Sequence, residues 1–244
     1  MLILENKVAL VTGASRGVGA EVAVLLAQRG ADVVINYRSK EARAQKVAAE
    51  VERLGRRAQL AQADITSRAE MDAVIKDIAA SFGRLDFLVL NASGGLEKDK
   101  DPGYAMRLNL DAQVQALELA LPLMPAGSRI VFVTSHLAHF YGEKPVFPEY
   151  EPVAESKKAG EKALRARLPE LAERGVSLVV VSGDLIEGTI TPKLLQRGAP
   201  GLIEARRAEA GSLPTVAGFA KAIVDAAGDV SLESGATVYV GEVG

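Results

Sequence analysis

Three glycines near the start of the chain carry its most readable chemistry. Thr12-Gly13-Ala14-Ser15-Arg16-Gly17-Val18-Gly19 follows the apolar run Val8-Ala9-Leu10-Val11 and leads into a segment with an apolar helical face. Glycines so placed let the backbone turn tightly and approach a pyrophosphate, which then rests on the N–H groups of a helix N-terminus. The triplet has this meaning only between a strand and a helix at the start of a βαβ unit, and that context is present. A dinucleotide is the expected ligand, with Gly13, Ser15, Arg16, Gly17, Val18 and Gly19 around its phosphates. NAD binders usually end the second strand with Asp or Glu, which accepts from the ribose hydroxyls. Here that end reads Ile35-Asn36-Tyr37-Arg38-Ser39-Lys40, without an acid. A carboxylate would repel a 2′-phosphate, whereas a guanidinium fork binds one. Arg38 and Ser39 are the expected phosphate ligands, Arg16 adds a second positive charge, and NADP(H) is the expected cofactor.

The elements that must position this loop alternate along the chain. Strand-like runs at 7–12, 32–36, 58–63, 86–90, 129–135, 176–182 and 237–240 are separated by helical patterns at 17–29, 40–54, 67–82, 104–121, 154–174 and 216–227. Runs such as Leu178-Val179-Val180-Val181 are apolar throughout, as expected when helices cover both faces of a parallel sheet. The alternation predicts an α/β fold, a doubly wound parallel sheet in a three-layer αβα Rossmann domain. With no repeat, linker or low-complexity tract, residues 1–244 read as one domain. Residues 183–214 form a long polar excursion with a helical pattern near 191–210, read as a lid at the carboxyl edge of the sheet. The charge run at 97–101 reads as a solvated loop.

Composition narrows the function. The 244 residues include no cysteine, which excludes a thiolate nucleophile, a disulfide framework and Cys-based metal sites. With two histidines, His136 and His139, no metal centre is expected. The formal charge of −2 gives no basic bias towards nucleic acid, and no apolar run reaches membrane-spanning length. The N-terminal residues lack a signal-peptide shape, so a cytoplasmic protein acting on a small molecule is expected.

The Gly-x-x-x-Gly-x-Gly spacing resembles that of the short-chain dehydrogenase/reductase family, and the resemblance runs over nearly the whole chain. It implies that Asp64, after the third strand, binds the adenine amino group. It likens Asn91-Ala92-Ser93-Gly94-Gly95 to the family's Asn-Asn-Ala-Gly segment, with Leu90 at the first Asn, and makes Asn109 the family's structural and proton-relay Asn. It also implies a homodimer or homotetramer assembled through the middle helices.

The family reduces carbonyls with Ser, Tyr and Lys, the tyrosine acting as an acid beside the lysine ammonium. Ser135 matches the serine, and Lys157, or Lys158 in an alternative register, matches the lysine. The tyrosine position four residues earlier holds Val153, or Ala154 in the other register, and neither can donate a proton. Tyr150 lies seven residues before Lys157, roughly 700° of helix and so nearly the same azimuth. Pro152 is expected in the first helical turn, leaving Tyr150 just before the helix. The Tyr-x6-Lys spacing resembles that of a divergent branch, the NADPH-dependent enoyl-thioester reductases, as do Ile35–Lys40 and Val181-Ser182-Gly183, where most members have Pro-Gly. Thr189 is the expected contact for the nicotinamide carboxamide. His136, His139 and Tyr141 lie in or beside extra residues after Ser135 and stand as alternative acids, since an imidazole titrates near neutrality.

The resemblance implies NADP(H)-dependent reduction of a carbonyl or an activated C=C, with Ser135, Tyr150, Lys157 and Asn109 as the catalytic set. The alternative is a degenerate dinucleotide-binding member serving as sensor or scaffold, which Val153 favours. Lys193, Arg197, Arg206 and Arg207 in the lid either meet an anionic carrier or form a solvated face.

Overall fold

The computed structural model describes residues 4–97, 100–198 and 200–243. In chain order the elements are β1 (Val8–Val11), α1 (Gly17–Gln28), β2 (Asp32–Tyr37), α2 (Glu41–Arg53), β3 (Ala58–Gln62), α3 (Arg68–Phe82) and β4 (Phe87–Leu90). Next come α4 (Tyr104–Met106), a π-helical turn (Arg107–Asp111), α5 (Ala112–Ala120), β5 (Arg129–Ser135), α6 (His136–His139), α7 (Glu151–Arg165), α8 (Leu168–Glu173) and β6 (Ser177–Gly183). The chain ends with α9 (Ile190–Gly198), α10 (Leu202–Ala210), α11 (Val216–Gly228) and β7 (Thr237–Val240). Residues 1–3 of the N-terminal segment, 98–99 of the charge run and 199 of the excursion lie outside the described residues.

The seven strands form one sheet in the order β3-β2-β1-β4-β5-β6-β7. Every pairing is parallel, as between Val11 and Ile35 or Val11 and Val89. Strand residues alternate between two cores, as a period of two requires. Ala9, Val11, Val33, Ile35, Val131 and Val179 pack on the side of α1, α2 and α11. Leu10, Leu88, Ile130, Leu178 and Val180 pack on the side of α3, α5 and α8. The doubly wound fold expected from the alternation is the observed one. The strand order reverses between β1 and β4, so their carboxyl ends open the crevice where this architecture binds ligands.

Three segments differ from their sequence patterns. The span read as one helix at 104–121 is interrupted by the π turn, which displaces one residue from the regular ladder. The helix expected at 154–174 begins three residues earlier, with Pro152 in its first turn, and is broken between Arg165 and Leu168. Pro169 sits in the first turn of α8, where its missing N–H costs nothing. The excursion at 183–214 contains two short helices, α9 and α10, parted at Gly201, whose φ is 87°.

Candidate active site

Thr12 is fully buried and ties the two switch-point strands together. Its hydroxyl accepts from the N–H groups of Asn91 and Ala92 at 3.0 Å each and donates to the Val89 carbonyl at 3.2 Å. Asn91 returns the link, donating through Nδ2 to the Thr12 carbonyl at 2.8 Å. Asn36, also buried, accepts from the Gly13 N–H at 3.2 Å and donates to the carbonyls of Ala61 and Ala63. It thereby fastens the glycine loop to the ends of β2 and β3. Sequence reading passed over Thr12 and Asn36, although a polar side chain at the inner end of an apolar strand was a signal available in it.

The loop packs closely on one side and is open on the other. A Cβ on Gly19 would stand 2.5 Å from Asn91 Nδ2 and 2.6 Å from the Gly13 carbonyl oxygen, so only glycine fits. At Gly17 φ is +57° and nothing lies within 4 Å of where a Cβ would stand. The N-cap residue of α1, Arg16, makes no side-chain capping bond, and the first turn holds no acid. Its N–H groups and the positive end of the helix dipole are left for an anion. A pyrophosphate fits this cradle. Ser15 and Val18 flank it half-buried, and Arg16 is exposed beside it.

At the end of β2, Arg38 and Ser39 are exposed. Arg38 Nη1 donates to the Tyr104 hydroxyl at 3.0 Å and lies 3.9 Å from Asp64 Oδ2. Asp64 Oδ1 accepts from the N–H and hydroxyl of Thr66. Thr189 donates its hydroxyl to the Ile186 carbonyl at 2.8 Å.

Ser135 ends β5 and caps α6, accepting from the Ala138 N–H at 3.3 Å. Its Oγ lies 3.0 Å from the hydroxyl of Tyr150, the residue immediately before α7. The Tyr150 ring is buried with Val153, Ala154, Leu195 of α9 and Leu202 of α10. Burial raises the Tyr150 pKa above its usual value, and the Ser135 hydrogen bond opposes this only in part. Lys157 is buried, and its Nζ donates to Ser93 Oγ at 3.4 Å. Burial lowers its pKa to about 8, with Glu161, one turn on, working in the other direction. Lys158 instead points to the His139 carbonyl and lies 3.6 Å from Glu143, which fixes Lys157 as the lysine facing the Asn91–Gly95 segment.

Asn109 stands in the π turn and donates to the Gly94 carbonyl at 2.8 Å and to Ser156 Oγ at 3.0 Å. Helix α7 comes so close that a Cβ on Gly160 would lie 2.1 Å from the Asn109 carbonyl oxygen. Asn109 thus links the segment bearing Ser93 to the helix bearing Lys157.

The alternative acids face elsewhere. His136 is buried with Nδ1 2.8 Å from Ser182 Oγ, and burial lowers its pKa. Ser182 fills the position where a Pro-Gly pair was missing, and a proline there could not provide this hydroxyl. His139 lies between Glu161, 2.8 Å from Nδ1, and the Tyr239 hydroxyl, 3.0 Å from Nε2. Tyr141 donates to Glu151 at 3.3 Å.

The arginines of the 183–214 excursion divide. Arg207 is exposed, as a solvated face would have it, whereas Arg206 is turned inward. Its Nε lies 3.1 Å from both oxygens of the buried Asp184, and its Nη2 donates to the Glu242 carbonyl at 2.9 Å. Arg207 pairs with Glu187 at 2.8 Å. The side chains of Lys193 and Arg197 lie outside the described residues. Among the described residues, no group of three or more His, Cys, Asp or Glu could hold a metal, and no helix is long and apolar enough to cross a membrane.

The strand-order reversal, a glycine cradle at a helix N-terminus, a serine–tyrosine contact and a buried lysine facing the Asn91–Gly95 segment define the class, a dinucleotide-binding oxidoreductase fold. The short chain dehydrogenase family model matches residues 7–197. The 1-cyclohexenylcarbonyl-CoA reductase of Streptomyces collinus is 36% identical over 190 residues, covering 75% of this chain and 65% of that protein, just under two thirds of its length. The hydroxynaphthalene reductase of Aspergillus fumigatus is 33% identical over 208 residues, 82% of this chain and 74% of that one. Among solved structures, a short chain dehydrogenase from Burkholderia cenocepacia in complex with NADP superposes with a TM-score of 0.85, at 30% identity and with 97% of each chain covered. The chain belongs to the short-chain dehydrogenase family, whose members bind nicotinamide cofactors.

Proposed function

We propose that the chain is one nucleotide-binding domain with a lid, and that it uses NADP(H) to reduce a carbonyl or a C=C conjugated to one. The observation that carries this reading is the 3.0 Å contact between Ser135 Oγ and the Tyr150 hydroxyl, made although Val153 fills the usual tyrosine position. The same contact argues against a degenerate binder, because the donor lost at Val153 is replaced from the preceding turn.

In this reading the glycine loop, with Ser15, Arg16 and Val18, holds the pyrophosphate, and Arg38 and Ser39 take the 2′-phosphate. Asp64 takes the adenine amino group, Asn91 keeps the crevice floor in register, and Lys157 donates to the nicotinamide ribose. Thr189 has spent its proton on Ile186, so its oxygen is left to accept from the carboxamide. The bound nicotinamide supplies the hydride. Tyr150, kept protonated by burial, donates to the substrate oxygen, and Ser135 donates to the same oxygen. With an enoyl substrate these two donors stabilise the negative charge that develops on the thioester oxygen. With a ketone, Tyr150 passes its proton to the alkoxide, and Asn109 holds the surrounding segments in place.

The comparisons support reduction in both senses. The Streptomyces relative is by name a reductase of a ring alkene conjugated to a CoA thioester, the Aspergillus relative reduces hydroxynaphthalenes, and the Burkholderia structure holds NADP. The test follows NADPH consumption by the purified protein against a short enoyl-thioester and a 3-oxoacyl-thioester in parallel. Turnover of either supports the reading, and the preferred one names the branch. Tight NADPH binding with no turnover of either would contradict it.

A further inference from the structure

Tyr104 is buried, yet its hydroxyl reaches the exposed end of β2 and meets Arg38 Nη1 at 3.0 Å. That bond uses one of the five guanidinium protons. The Nε and Nη2 edge, the side of the fork suited to a bidentate anion, takes no partner among the described residues. The phenolic proton takes no acceptor there either. The ammonium of Lys100 lies 5.2 Å from the centre of the Tyr104 ring, within range of a cation–π contact. One buried ring therefore gathers two cations and offers its own O–H beside them. Among the described residues, the carboxylate paired with Arg38 is Asp64, at 3.9 Å, and one of its oxygens is already committed to Thr66.

We propose that Tyr104 is a specificity-determining residue. Its hydroxyl fixes the Arg38 guanidinium and its ring face holds Lys100, so that together they recognise the 2′-phosphate of the dinucleotide. The inference rests on the assignment of Arg38 to that phosphate. A guanidinium on a free side chain must lose rotamer freedom to bind, whereas one already tethered to a rigid phenol loses less.

The test compares the binding of 2′,5′-ADP and 5′-AMP, by calorimetry, to the wild-type chain and to Tyr104→Phe, Lys100→Gln and Arg38→Gln. Tyr104→Phe keeps the ring, its burial and the Lys100 contact and removes only the hydroxyl. It should weaken 2′,5′-ADP by about tenfold, the scale of a charge-assisted hydrogen bond, and leave 5′-AMP unchanged. Lys100→Gln, an exposed change that leaves the core intact, should weaken 2′,5′-ADP a few-fold and flatten its salt dependence. Combining Tyr104→Phe with Arg38→Gln should add little to Arg38→Gln alone, because both act on one contact. If Arg38→Gln removes the preference for 2′,5′-ADP while Tyr104→Phe leaves it intact, or if Tyr104→Phe weakens both ligands equally, the inference is overturned. If Arg38→Gln leaves the preference intact, the assignment beneath it fails first.

Discussion

The two ends of the crevice are built differently. The end proposed to receive the dinucleotide phosphates is held by buried polar side chains that bond to the backbone of neighbouring strands. Thr12, Asn36 and Asn91 stitch strand termini to the glycine loop through hydrogen bonds, and Gly19 admits no side chain. The substrate end is assembled from side chains on separate segments. Tyr150 precedes α7, Ser135 closes β5, and the hydrophobic cluster around Tyr150 includes residues of α9 and α10, the latter tied down by Arg206 on Asp184. At the first end the contact of Gly19 with Asn91 and the Gly13 carbonyl leaves no room for a side chain. At the second, a hydroxyl can be supplied from an earlier turn so long as it arrives at the same place.

Legibility in the sequence followed this division. The glycine loop, Arg38 and the parallel strands were readable because each depends on neighbours in the chain, and the alternation of apolar runs sufficed for the sheet. Tyr150 was readable only as a helical azimuth, and its contact with Ser135 depends on how residues 136–149 fold. The pairing of His136 with Ser182 and of Arg206 with Asp184 joins residues 46 and 22 positions apart, which no local pattern reports. The π turn at Arg107–Asp111 was hidden for another reason, since the apolar period continues through it while the hydrogen-bond ladder shifts.

Three perturbations would break or sharpen the contrast. The largest effect is expected at the phosphate end. Gly19→Ala forces its new methyl against the Gly13 carbonyl, so the loop must move and NADPH affinity should fall by roughly a hundredfold or more. Titration of the variant checks this, and wild-type affinity would mean that the cradle is not the binding site.

The anchoring of α10 comes next. Asp184→Ala removes a buried carboxylate that accepts from Arg206, a loss that costs about 3 kcal/mol where such a pair is buried. Hydrogen exchange across 202–210 should accelerate by up to roughly a hundredfold. The exposed pair Arg207–Glu187 should contribute less than about 1 kcal/mol, so Arg207→Ala should change exchange only a few-fold. Equal responses would mean that the buried pair holds α10 no more firmly than the exposed one.

The smallest effect is a pH dependence. Lys157 is charged below about 8 and neutral above it in the free protein. If its ammonium binds the ribose, kcat/KM should fall on the alkaline side of about 8, by about tenfold at one pH unit beyond the midpoint. Lys157→Arg keeps the charge throughout and should remove that limb. A flat wild-type profile from about pH 7 to 10 would detach Lys157 from cofactor binding.

The central claim is that Tyr150 does the work of the tyrosine absent at Val153, and Tyr150→Phe tests it most directly. The variant keeps the buried ring and loses only the hydroxyl that meets Ser135. The account predicts a fall in kcat of about a hundredfold or more, with the Kd for NADPH within about twofold of wild type. Retention of the full rate would contradict it and return the search to another proton donor near Ser135.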